Sequence, residues 1–113
     1  MNPSQRNNNP GNLRFAGQRE AIGMDDNNFA RFPDPPAGWR SLHAQIKLDQ
    51  GRGLTLEKFI RKYAPSNEND SENYLAFVCG EIRAEPDTLL SNISPYALAG
   101  VMARMEGYYN KEG

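Results

Sequence analysis

Two groups of residues in this chain have types and spacings that could do chemistry. The first is Arg6 to Phe15, RNNNPGNLRF, in which four asparagines surround a Pro10-Gly11 pair. Side-chain amides offer both a donor and an acceptor, so Asn8, Asn9 and Asn12 on a turn held by Pro10 and Gly11 could recognise an uncharged polar ligand. The same composition also makes plain solvated turns, because Asn, Pro and Gly are the residues that turns use. The second group centres on Glu106 in ARMEGYY, with Met102 and Met105 before it and Tyr108 and Tyr109 after it. An apolar and aromatic surround disfavours a charged carboxylate, which is the condition a general acid needs near neutral pH. A solvent-facing glutamate in the last turn of a helix is the ordinary alternative.

Other candidates are weaker. Glu68 and Asp70 in SNENDSEN form an attractive pair of carboxylates, but Asp70 reads as a helix cap and Glu68 as a favourable charge near a helix N-terminus. Glu20 and the Asp25-Asp26 pair fall in a turn-rich connector, where solvated charge is the default. Cys79 is the sole cysteine and lies in YLAFVCGEI, so it forms no intramolecular disulfide and reads as a small buried hydrophobe. His43 is the sole histidine, which argues against a His-rich zinc site or a Cys-His nucleophile pair. Neither a metal nor a cofactor is expected.

The elements that must position these residues fit in one domain, since 113 residues suffice for a single core and not for two. The net charge of −1, with 24% charged residues, supplies no field that would draw the chain to nucleic acid or to an anionic membrane, and neither is an expected partner. A hydrophobic content of 38%, with five Phe, five Tyr and one Trp, is enough to build a core. The first thirty residues lack a basic segment followed by an apolar one, and no window approaches a spanning helix. Synthesis in the cytoplasm without a signal peptide is the resulting expectation.

Punctuation divides the chain into a short β-like beginning and a helical remainder, an α+β and mainly helical class. Leu13 to Ala16 and Phe29 to Phe32 show strand-like spacing and are expected to pair as a hairpin across GMDDNN. Four helices follow. The first starts at the prolines of PDPPAGW, carries Trp39, Leu42, Ile46 and Leu48 near one side, and stops at Gly51 and Gly53. The second has Thr55 as cap, Leu54 and Phe59 as hydrophobic staple, and Pro65 beyond its end. The third has Asp70 as cap and an apolar face of Tyr74, Phe77, Val78 and Ile82. After a helical turn in DTLLSN, the fourth begins at Ser94 and Pro95 and carries Leu98, Val101, Met102 and Met105.

RNNNPGNLRF, then FARFPDPPAGWRSLHAQI, then GLTLEKFIRKYAPSNENDSENYLAFV resemble a family of bacteriophage-derived proteins described as virion structural proteins and associated with lysozyme-like, peptidoglycan-cleaving domains. The likeness covers most of the chain. It implies a lysozyme-like small domain in which a glutamate at a helix end faces an amide-bearing turn. It also implies peptidoglycan glycan strands as the partner, other virion proteins as further partners, and delivery from a virion to the host periplasm.

One departure stands out. In relatives of this kind a helix of the form Ala-x-x-x-Glu-Gly-aromatic precedes the asparagine turn, whereas only five residues precede Arg6 here and the segment VMARMEGYYN lies at the opposite end. That segment supplies the missing helix if the two ends of one chain lie together, or if the C-terminal helix of one copy meets the N-terminal turn of another in a homodimer. On this reading Glu106 is the general acid, with Glu20 and Glu68 in reserve. Asn8, Asn9 and Asn12 would bind the N-acetyl and hydroxyl groups of an aminosugar, and Tyr63, Tyr108 or Trp39 would stack on a sugar face, although Trp39 at the start of an amphipathic helix reads first as core. Muramidase and lytic transglycosylase chemistry both remain open, as does a non-catalytic virion or glycan-binding role.

Overall fold

A computed structural model describes residues 1–64 and 68–111, and the side chains of Glu68 and Asn69 lie outside that description. In chain order the elements are α1 (Pro3–Arg6), β1 (Gly23–Met24), β2 (Ala30–Arg31), α2 (Pro35–Gly51), α3 (Leu56–Tyr63), α4 (Glu68–Ile82), a 3-10 turn at Leu90–Asn92, and α5 (Pro95–Met105). The fold is α+β and mainly helical, with a two-stranded antiparallel hairpin near the N-terminus. Its residues group into two compact units, Met1–Ala44 with Met102–Gly113, and Gln45–Val101.

In the first unit the hairpin differs from the expected one. Gly23 pairs with Arg31 and Met24 with Ala30, so β1 comes out of the segment expected to be the connector. Leu13 to Phe15 joins β2 from the other side through a single bridge, Arg14 with Phe29, supported by Ala30 N–H to the Leu13 carbonyl (2.8 Å) and Phe15 N–H to the Asn28 carbonyl (2.7 Å). The tight turn belongs to Asp25. Its Oδ1 accepts from the backbone N–H of Asn27 (2.8 Å) and Phe29 (3.0 Å), an Asx turn that reverses the chain within five residues. Asp34 caps α2, its Oδ1 accepting from Ala37 N–H at 3.0 Å, with Pro35 at the first helical position. Leu13, Ala30, Phe32, Ala37, Leu42, Met102 and Ala103 are the buried apolar residues of this unit's core.

The second unit holds most of the expected helix signals. Thr55 caps α3, accepting from Lys58 N–H at 3.2 Å, and Ser94 caps α5, accepting from Ala97 N–H at 3.3 Å. Helix α4 starts at Glu68 rather than after Asp70, so Asp70 lies inside the first turn, where a carboxylate still complements the helix dipole. Ser71, inside α4, serves the end of α3, donating to the Ala64 carbonyl (2.8 Å). Leu56, Phe59, Ile60, Val78, Leu90 and Leu98 are fully buried. Leu48, expected on the apolar face of α2, is 52% exposed, because Leu42 and Ile46 already define the buried side and residue 48 is rotated away from it. Phe77 is partly exposed for the same reason. Cys79 is half-buried, and burial pushes its thiol up, with the carboxylates of Glu85 and Glu57 adding to the effect, so it is a protonated packing residue.

Asp49 is the one charged side chain fully buried among the described residues. Gln45 Nε2 donates to its Oδ2 (2.9 Å), while Arg52 Nη1 (2.8 Å) and Lys62 Nζ (2.7 Å) both donate to its Oδ1, tying the end of α2 to α3. Burial alone would raise its carboxyl, but the bonds from Lys62, Gln45 and Arg52 outweigh that and hold it below the usual carboxylate range. A depressed native pKa stabilises the fold above the unfolded value and loses that contribution as pH falls through the native one. Asp49→Ala is therefore expected to lower stability at pH 7 by about 2 kcal/mol, measured by urea denaturation, and to flatten the loss of stability that the parent shows below about pH 4.

Candidate functional site

All the amides of the opening turn, and the segment that follows α5, belong to the first unit. The turn begins with α1, only four residues long and held by a capping box: Asn2 Oδ1 accepts from Gln5 N–H (3.1 Å) and Gln5 Oε1 accepts from Asn2 N–H (3.2 Å). Beyond it Asn8 and Asn12 both have positive φ, 52° and 49°, a left-handed conformation that asparagine tolerates better than other non-glycine residues.

Most of the amides serve the turn itself. Asn9 is fully buried, donating through Nδ2 to the carbonyls of Leu13 (3.0 Å) and Ala30 (2.9 Å) and accepting at Oδ1 from Leu13 N–H (2.9 Å). It stands in for a missing piece of sheet between the turn and β2. Asn7, also buried, donates to Asp25 Oδ2 (2.8 Å), and Asn8 donates to the Phe32 carbonyl (3.2 Å). The expected sugar-binding role of Asn9 is corrected accordingly, since both ends of its amide are occupied inside the protein. Asn8 is likewise engaged through its donor.

Asn12 differs. Its Nδ2 donates to Glu106 Oε1 at 2.9 Å, and its Oδ1 is buried without accepting a hydrogen bond. The bond joins residues 94 positions apart and brings the two groups singled out in the sequence into direct contact within one chain. Asn12 holds the glutamate rather than reaching outward for a ligand.

The placement of Glu106 follows from how α5 ends. Tyr108 N–H bonds the Ala103 carbonyl (3.0 Å) and Gly107 N–H bonds the Arg104 carbonyl (3.1 Å), the paired bonds of a Schellman motif with Gly107 in the left-handed region at φ 83°. Glu106 occupies the capping position immediately before it. A Cβ on Gly107 would lie 2.8 Å from Asn2 Nδ2 and 3.0 Å from Asn110 Nδ2, so a side chain here would displace those amides as well as strain the backbone. Helix α1 then grips this turn: Asn2 Nδ2 donates to the Gly107 carbonyl (2.7 Å), Ser4 Oγ to the Glu106 carbonyl (3.3 Å), and Gln5 Nε2 to the carbonyls of Tyr108 (3.2 Å) and Asn110 (2.6 Å).

Aromatic rings gather beside the turn. Trp39 is half-buried, with Tyr108 edge-on at 5.7 Å, Tyr109 at 6.4 Å and His43 at 6.1 Å between ring centroids. Burial raises the Tyr108 hydroxyl above its ordinary value, Tyr109 adds to this, and a hydrogen bond with Trp39 opposes it. Tyr109, 59% exposed, presents more ring to solvent than the half-buried Tyr108, a difference of which the Tyr108-Tyr109 pair gives no sign in the sequence.

The remaining candidates fall elsewhere. Glu20 is held by Arg40 through two hydrogen bonds, Nε to Oε2 (2.8 Å) and Nη2 to Oε1 (2.5 Å), and this pairing lowers its pKa, which suits an ionised carboxylate and not a proton donor. Tyr63 belongs to the second unit, packed against Phe59 (5.5 Å) and Tyr74 (6.5 Å) in an aromatic row. Glu68 begins α4 in that unit, and its side chain lies outside the described residues. No cluster of three His, Cys, Asp or Glu side chains placed to hold a metal ion occurs among the described residues.

Compared with known proteins, the chain matches no family model, and a search of curated proteins finds no significant match.

Helix α2 packs directly on the asparagine turn at Gly38, where a Cβ would lie 2.0 Å from the Asn8 carbonyl oxygen and 2.9 Å from Pro10 Cδ. Backbone cannot yield as a flexible side chain does, so Gly38→Ala is expected to cost about 3 kcal/mol or more in chemical denaturation. Gly51→Ala, in the same helix with nothing within 4 Å of the added carbon, should leave stability unchanged or raise it by up to about 1 kcal/mol. Asn9→Ala removes three buried hydrogen bonds and strands their partners, and a loss of about 2 to 4 kcal/mol is expected in the same measurement.

Proposed function

We propose that this chain is a phage-derived, lysozyme-like peptidoglycan-cleaving domain that uses Glu106 as its single general acid. The observation that carries the reading is the 2.9 Å bond from Asn12 to Glu106, which unites the asparagine turn with the Glu-Gly-Tyr helix end despite their separation in sequence. Glycosidic cleavage needs a carboxyl group aimed at the leaving oxygen, and a carboxyl fixed by a neighbouring amide on a rigid turn meets the positional part of that requirement. The aromatic group of Trp39, Tyr108 and Tyr109 offers faces on which sugar rings stack, with Tyr109 the most accessible. Attack at the anomeric carbon by water gives a hydrolysed product and attack by the sugar's own C6 hydroxyl an anhydro one; Glu20, bound to Arg40, is not placed to serve as the base for either.

No helix among the described residues is long and apolar enough to cross a membrane. In our reading the protein is carried in the virion and delivered to the host periplasm, where its partner is the glycan strand. A non-catalytic virion or glycan-binding role is the second reading, and the enclosure of Asn9 and Asn7 favours it, because most of the turn's amides stabilise the fold instead of facing a ligand.

Glu106→Gln keeps the size of the side chain and is expected to slow clearing of exposed sacculi by about a hundred- to ten-thousand-fold, with circular dichroism unchanged. Glu68→Gln should clear at the parental rate. Equal clearing by Glu106→Gln and parent would remove the acid assignment. A parent that clears no sacculus but sediments with them would favour the binding role.

A further inference from the structure

On the hairpin side of the first unit lies a pocket of about 440 Å³ that the cleavage reading leaves without a role. Three short segments build it: Arg6 and Asn7 at the end of α1, Met24 to Asn27 at the hairpin turn, and Arg31 on β2. Its volume is in the range of small-ligand sites and matches one or two amino-acid residues rather than a polymer.

The charges in the pocket differ in their engagement. Asp25 is consumed by structure, receiving Asn7, Asn27 and Phe29. Burial would raise its carboxyl, yet those bonds outweigh burial and keep it ionised as a fixed negative wall. Arg6 is held in part by the Met1 carbonyl through Nη1 (3.2 Å). Asp26 and Arg31 are exposed and enter no side-chain hydrogen bond or ion pair among the described residues. Opposite Arg31 across the hairpin stands Gly23, so no cross-strand side chain covers the guanidinium. Met24, 52% exposed, adds an apolar wall.

Two arginines and two aspartates sum to zero, which disfavours a polyanion such as nucleic acid and disfavours inorganic phosphate. Planar guanidinium forks bind carboxylates, and a free aspartate binds an ammonium group. From this arrangement we infer that the pocket binds the zwitterionic end of a short peptide, its carboxylate on Arg31 and Arg6, its amino group on Asp26, and a small side chain against Met24. Peptidoglycan strands carry short peptides with free carboxylates and amines, and naming those branches as the natural ligand rests on the function proposed above; the preference for a zwitterion rests on the pocket alone.

The test is an NMR titration of the full chain with the dipeptide alanyl-alanine, compared with its N-acetylated, C-amidated form and with inorganic phosphate. Backbone amides of Asn7, Asp25 to Asn27 and Arg31 should shift saturably with the free dipeptide and not with the other two. Arg31→Ala and Asp26→Asn, both exposed and outside the Glu106 site, should each weaken binding by about tenfold or more while preserving the spectrum elsewhere. Absence of shifts, equal shifts with the capped dipeptide, or stronger binding of phosphate would each overturn the proposal. Sacculus clearing is read separately, so loss of the cleavage reading and loss of the pocket are told apart.

Discussion

Everything in the first unit depends on how the carbonyl groups at the end of α5 are satisfied. A helix terminus leaves its last carbonyls without intrahelical donors, and burying them unpaired costs free energy comparable to lost hydrogen bonds. Here the Schellman bonds from Tyr108 and Gly107 satisfy the carbonyls of Ala103 and Arg104, and the side chains of Asn2, Ser4 and Gln5 satisfy carbonyls of the turn that follows, at Gly107, Glu106, Tyr108 and Asn110. Helix α1 is too short to persist on its own in water. Its capping box and the carbonyls it reaches for stabilise each other. The position of Glu106 is a consequence of this mutual capping, and Asn12 completes it.

The asparagines of the turn solve a related problem. The β structure near them consists of two paired residues per strand and one isolated bridge, far too little to satisfy the backbone of a folded loop. Asn9 bonds three backbone groups at once, doing for the turn what a neighbouring strand does for a sheet. Asn8 and Asn12 adopt left-handed conformations where most side chains would be strained. Four amides in six residues are thus explained chiefly by architecture, and only Asn12 directs its amide to the candidate site.

Signals confined to one element were legible in the sequence. The Thr55 and Ser94 caps, the prolines at helix starts and the 3-10 turn after Thr88 all depend on local chemistry and are found where that chemistry puts them. Pairing was harder to read. The strand content of Gly23-Met24 is invisible in composition, because Gly and Asp dominate that segment and its register is fixed by the Asp25 turn. Ambiguity between cap and first turn displaced the start of α4, since Glu68, Asp70 and Ser71 are all residues that favour a helix beginning. In the site, the residue types pointed to the turn and to Glu106, but nothing in the sequence separates an amide that binds a ligand from one that bonds the backbone. That difference is set by burial, which is a tertiary property.

The wide separation of the two motifs in the sequence is no obstacle to their contact. A covalent connection between a helix end and a following turn fixes their relative position, but so does a set of side-chain bonds if each one is made to backbone. The grip of α1 is of that kind: donors from Asn2, Ser4 and Gln5 meet carbonyls of Glu106, Gly107, Tyr108 and Asn110, which are insensitive to the side chains at those positions. Sequence change at Tyr108 or Tyr109 would leave the joint intact, whereas change at Gly107 would strain it, because its αL conformation disfavours a side chain and a Cβ there would push on the Asn2 amide at 2.8 Å. The constraint on this chain is therefore the pair of residues on either side of the contact, Asn2 and Gly107, rather than the order in which the polypeptide visits them.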